Sequence, residues 1–197
     1  MSIVGLVGTG WLAGQIPNDP EKTDKKTLEW RHTMMVGHET AGTLMLAAIF
    51  PRIGLRLLQR APKPLPGPLI ERAAGALSHA VLYAAMVFMP LSGLLFGVAS
   101  GWGIYFVGLD APLSNMQWIF GPEENAKAIE KFFYENHHRV GTWLEYLVPL
   151  HIGAVGYHHL FRGHNLLARM GITGVPVAGG AAKGAASTAA KEGVKKM

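Results

Sequence analysis

Cysteine is absent from the 197 residues, which rules out disulfides, thiolate nucleophiles and thiolate-ligated metal centres and leaves nine histidines as the main stock of nitrogen ligands. Charge is scarce: Asp, Glu, Lys and Arg make up 16% of the chain against 49% hydrophobic residues, a balance that leans away from an ordinary soluble domain. The mean hydropathy of +0.21 is held down by polar residues gathered in a few connecting stretches. The net charge of +5 does not point to nucleic acid, because Lys and Arg cluster beside apolar segments rather than along one solvated face. No internal repeat is visible, and no basic n-region supports a signal peptide.

What remains is apolar helix. Residues 33–58 (TMMVGHETAGTLMLAAIFPRIGLRLL), 73–98 (AAGALSHAVLYAAMVFMPLSGLLFGV) and 140–161 (VGTWLEYLVPLHIGAVGYHHLF) each hold enough apolar positions to cross a hydrocarbon layer of about 30 Å at about 1.5 Å per residue. The middle segment contains no Asp, Glu, Lys or Arg. These predict an all-α, integral membrane helical bundle with three transmembrane helices. The first sixteen residues are apolar but short and glycine-rich, and are expected to form an interfacial, re-entrant or partner-bound helix.

Basic residues near helix ends prefer the cytoplasmic-equivalent side. The first connection carries Arg52, Arg56, Arg60, Lys63 and Arg72, and Arg162 and Arg169 follow the third span, so both belong inside. The second connection, about 100–138, mixes Glu123, Glu124, Glu130 and Glu135 with Lys127 and Lys131 and is placed outside, with the N-terminus. The Pro-rich APKPLPGP is expected to be stiff, and the tail AAKGAASTAAKEGVKKM mobile or partner-bound. The chain therefore divides into an N-terminal extension (1–30), a transmembrane domain (31–170) and a low-complexity tail (171–197).

Histidines inside apolar helices are functional candidates by default. His137 and His151 are fourteen residues apart, about 40° short of four turns and about 21 Å along the axis, so they share one stripe at two depths. His138 lands roughly 140° away from His151, which selects His137 of the adjacent pair. His38 enters the first span near its outer end, the depth of His137, with Gly37 and Gly42 beside it and Gly141 one turn after His137 to leave room for a flat ring. His79 lies near the inner end of the second span, towards the depth of His151 and His158. Two imidazoles from facing helices are the axial set of a low-spin haem b suited to electron transfer; His38 with His137 is the expected pair for an outer haem.

The stretches RHTMMVGHETAGTLML, LSHAVLYAAMVFMPLSGLL, NHHRVGTWLEYLVPLHIGAVGYHH and LFRGHNLLARM resemble the second, third and fourth helices of the bacterial-type (prokaryotic) cytochrome b561 family. The resemblance covers about residues 28–170 and is most specific in LHIGAVGYHHLFRGHNLLARM. It implies a four-helix, di-haem b membrane cytochrome linked to quinol, with His38 and His137 on the outer haem and His151 on the inner one. The family takes the inner haem's other ligand from a first helix; here no histidine precedes Trp30. His79 could substitute, a neighbouring subunit could donate, or that haem could be missing. One haem b is thus expected and a second is open. The competing reading is a structural subunit of a respiratory or photosynthetic membrane complex that has lost some or all haem.

Each residue also has a plainer role available. His79 could hydrogen-bond a propionate or a backbone carbonyl. His158, His159 and His164, with Arg162 and Arg169, suit lipid headgroups, with haem propionate or quinone as the sharper option. Glu145 would serve a proton path for quinol oxidation or pair with another subunit. Met34, Met35, Met45, Met86 and Met89 suit core packing, and Trp30, Trp102, Trp118 and Trp143 an interfacial belt. Pro51, Pro90 and Pro149 are candidate kinks.

Overall fold

The computed structural model describes residues 3–58, 68–106, 109–110 and 112–163. The Pro-rich connection, His164, Arg169 and the low-complexity tail lie outside them. Four helices, α1 (Ile3–Gln15), α2 (Lys25–Leu58), α3 (Leu69–Ala99) and α4 (Glu123–Leu160), are joined by a two-stranded antiparallel ladder, β1 (Tyr105–Phe106) with β2 (Leu109–Asp110), and a 3-10 segment, Pro112–Phe120. The chain forms two compact units, Met1–Leu147 and Val148–Met197. The first holds α1 to α3, the ladder and α4 as far as Leu147; the described part of the second is the end of α4 and residues 161–163.

Local chemistry sets the helix starts. Asp24 Oδ1 accepts from the Thr27 backbone N–H at 3.0 Å, capping α2; hydrogen bonding from the Thr27 side chain first, and from its backbone, holds the Asp24 carboxyl below its ordinary range. Gly121, at φ 78°, turns the chain into α4. There Glu123 and Glu124 complement the helix dipole, and Glu123 pairs with Lys127 at 2.7 Å, i to i+4. This polar start explains a departure from expectation: α4 begins at Glu123, not near residue 140, and the connection before it is correspondingly short. α2 likewise begins before residue 33. Pro51, Pro90 and Pro149 all lie inside helices.

At about 1.5 Å per residue, α2, α3 and α4 all exceed the roughly 30 Å of a bilayer core. Among the described residues only α3 is also apolar enough to cross by composition. It is no buried core helix, since 17% of its most apolar window is buried, and Leu77, Val81 and Leu91 are exposed. α2 and α4 are diluted by polar residues, so three clear spans do not follow from composition alone.

In the first unit α2 packs directly on both α1 and α3. The contacts use small buried residues, Ala13, Ala41 and Ala85, which let backbones approach closely. α1 is thus seated on a helix of its own chain, where the sequence suggested an interfacial, re-entrant or partner-bound segment.

Candidate functional site

α2 and α4 bring His38 and His137 together: their ring centroids are 6.2 Å apart and the ring planes cross at 82°. Both rings open onto a cavity of about 300 Å³. Glycines form much of its wall, Gly10 and Gly14 from α1, Gly42 from α2, Gly93 and Gly97 from α3 and Gly141 from α4, and Met35, Met45, Met86 and Met89 add soft apolar surface. The space is predominantly apolar, as a ligand pocket is.

Each imidazole is held in the same way. Thr9 Oγ1 lies 3.1 Å from His38 Nδ1, and Ser92 Oγ lies 2.9 Å from His137 Nδ1. In both cases the next residue is a glycine against the ring. A Cβ on Gly10 would come 3.1 Å from His38 Cε1, and one on Gly93 would come 3.2 Å from His137 Cε1. Of the glycines expected to leave room for a flat ring, Gly42 and Gly141 line the cavity, and Gly37 is not among its lining residues. Nothing lies within 4 Å of a Cβ on Gly37 or Gly42, and one on Gly141 would meet only Met89 Cε, at 3.6 Å. A glycine on the histidine's own helix sits beside its ring at best, whereas a ring pointing inward meets the backbone of the facing helix. The dipeptides Thr9-Gly10 and Ser92-Gly93 were the available signal.

Polar groups gather at the β1 end of the cavity. Glu39 Oε2 accepts from the Tyr105 backbone N–H at 3.1 Å, Thr40 Oγ1 donates to the Tyr105 carbonyl at 3.4 Å, and the Tyr105 ring meets His32 edge-on, centroids 5.6 Å apart. Arg31 also lines the cavity, and its Nε is buried without a hydrogen-bond partner. Glu145, too, faces this cavity.

The other candidate residues are placed as follows on their own elements. His138 is exposed at the cavity rim against Tyr134, centroids 6.0 Å apart. His79 is exposed on α3, near its start. His151, half-buried, belongs to the second unit, where His158 and the buried His159 occupy the last turn of α4 and the exposed Arg162 follows. Among the described residues no group of three or more His, Asp or Glu forms a cage for a metal ion. Two facing imidazoles are instead the donor set for a metal that brings its equatorial ligands with it.

The family model for prokaryotic cytochrome b561 matches residues 1–172, so the likeness reaches past residue 28 to take in α1. The chain is 28% identical over 134 residues to cytochrome b561 homolog 1 of Escherichia coli (strain K12), covering 68% of this chain and 72% of that protein. No solved structure matches. With the match spanning most of its length, the chain belongs to the prokaryotic cytochrome b561 family of integral membrane, haem b electron-transfer proteins.

Proposed function

We propose that His38 and His137 are the axial ligands of one haem b and that the chain relays electrons between a quinol pool and a partner protein in the bacterial inner membrane. The observation that carries this reading is the spacing of the two rings across a glycine-lined cavity. With metal–nitrogen bonds of about 2 Å, imidazoles on two facing helices would be able to hold one metal ion between them. The 6.2 Å between the two ring centroids supports that reading. When bound, haem supplies a one-electron Fe(III)/Fe(II) couple.

The protein's own residues do the rest. His38 and His137 would hold the haem from two facing helices, a ligand pair that favours electron transfer over oxygen chemistry. Arg31, with its buried unpartnered Nε, is placed to bind a haem carboxylate. Of the polar residues that dilute α2 and α4, His38, Glu39 and Glu145 line the cavity, so both helices can cross the bilayer with these groups turned inward. Residues 31–170 with α1 then form the transmembrane domain. Glu39 and Glu145 are the carboxylates available to take protons from a quinol.

His151 is the candidate ligand of a second haem, with His79 or a histidine of a neighbouring subunit opposite. His158, His159 and Arg162 are the groups available at that end for a propionate, a quinone or lipid headgroups. A reduced-minus-oxidised spectrum of the purified protein tests the reading. A b-type α-band is expected, lost in His38→Ala and in His137→Ala. A flat trace from the unaltered protein would return the chain to a structural role in a larger complex.

A further inference from the structure

We infer that Thr9 and Ser92 are positioning residues that lock His38 and His137 in the tautomer presenting Nε2 to iron, an assignment that rests on the ligand pair proposed above. Each hydroxyl has one proton and two lone pairs. Thr9 Oγ1 spends its proton on its own helix, donating to the carbonyls of Gly5 at 2.9 Å and Leu6 at 3.1 Å. Ser92 Oγ donates to the Met89 carbonyl at 3.0 Å. With those protons given to the carbonyls, each hydroxyl oxygen accepts at 3.1 and 2.9 Å from an Nδ1–H of the imidazole. A neutral imidazole carries one N–H; once it sits on Nδ1, Nε2 is left with the lone pair that binds metal.

The arrangement is duplicated on different elements. α1 supplies Thr9 and Gly10 to a ligand on α2, and α3 supplies Ser92 and Gly93 to a ligand on α4. The hydroxyl sets the proton and the rotation of the ring, and the glycine after it lets the Cε1 edge come within 3.1 to 3.2 Å of where a Cβ would be. Ser92 is fully buried, so water cannot replace its oxygen. A ligand histidine that donates its second N–H is the more basic for it, which favours ferric over ferrous iron. These two hydroxyls therefore hold the haem's potential down as well as holding the rings in place.

The test uses the full-length protein in detergent, with Thr9→Val, Thr9→Ser and Ser92→Ala beside His38→Ala and His137→Ala, read by redox titration, low-spin EPR and haem titration of the apoprotein. Thr9→Val and Ser92→Ala are expected to raise the midpoint potential, shift the low-spin g-values and weaken haem binding about 10- to 100-fold; Thr9→Ser should restore all three. If Thr9→Val does not accumulate, Ser92→Ala reads the same effect on the other ligand. Unchanged potential and g-values in Thr9→Val and Ser92→Ala, with haem still lost in the histidine variants, would overturn the hydroxyl assignment alone. An equal shift in Thr9→Ser and Thr9→Val would do so too, since packing rather than a hydroxyl would then be at work. Retention of low-spin haem by His38→Ala or His137→Ala would instead sink the ligand pair itself.

Discussion

On the proposed ligand pair, His38→Ala and His137→Ala should each abolish the same low-spin signal. His138→Ala should leave it nearly intact, because that ring is exposed and lies against Tyr134. Equal loss from His137→Ala and His138→Ala in EPR would contradict the geometry. The glycines offer a separate test. Gly5→Ala meets nothing within 4 Å and should stabilise α1 by roughly 0.5–1 kcal/mol, as alanine does in a helix. Gly10→Ala and Gly93→Ala make the same backbone gain but drive a methyl to 3.1 and 3.2 Å from a ligand ring. Overpacking of that kind costs about 1–3 kcal/mol, expected here as haem binding weaker by about tenfold or more. Haem titration of the three apoproteins decides it, and equal affinities would show that the rings yield freely.

The turn after α3 is built by three glycines acting on one another. Gly101 and Gly103 take φ of 74° and 80°, which brings the Gly103 N–H to the Gly97 carbonyl at 3.1 Å and its own carbonyl so near that a Cβ on Gly97 would lie at 2.9 Å. The Gln117 side-chain amide closes the structure, its Nε2 donating to the Ala99 carbonyl at 2.8 Å. The clashing atom is backbone and cannot swing aside, so Gly97→Ala should lower the unfolding midpoint by several degrees, following an overpacking cost of about 1–3 kcal/mol. An unchanged midpoint by thermal denaturation in detergent would mean that the turn relaxes. β1, which follows this turn, carries the Tyr105 backbone that binds Glu39, so the same variant should also disturb that end of the haem cavity.

At the scale of the whole molecule, the exposed apolar surface of α3 and the exposed Trp30, Trp102, Trp118 and Trp143 suit the bilayer that the family's membrane character implies. The chain should stay with membranes through an alkaline wash and leave them only in detergent; release by alkali would contradict membrane insertion. Haem quantitation per polypeptide should give at least one. A ratio near two that falls in His79→Ala would place both ligands of the second haem in one chain. A ratio near two that does not fall would assign the ligand opposite His151 to another subunit, and a ratio near one would leave His151 without an axial role.

Hydrophobic runs and histidine spacing were legible in the sequence because both follow from helix periodicity alone: thirteen or fourteen residues along one helix fix which side a ring takes, and so His137 rather than His138 could be chosen from the chain itself. The family likeness was legible for the same reason, being carried by continuous helical segments. The reach of α4 back to Glu123 was not, since its first turns are polar and are held by caps and an ion pair rather than by an apolar stripe. Nor were the partners of the rings. Which backbone a side chain meets across a bundle depends on how the helices cross, and that placed Thr9-Gly10 of a short, unpromising helix and Ser92-Gly93 of another against the two imidazoles. The sequence by itself determined the helices and the histidines they present; only the tertiary structure decided what stands opposite each ring, because contacts between helices are set by packing rather than by spacing along the chain.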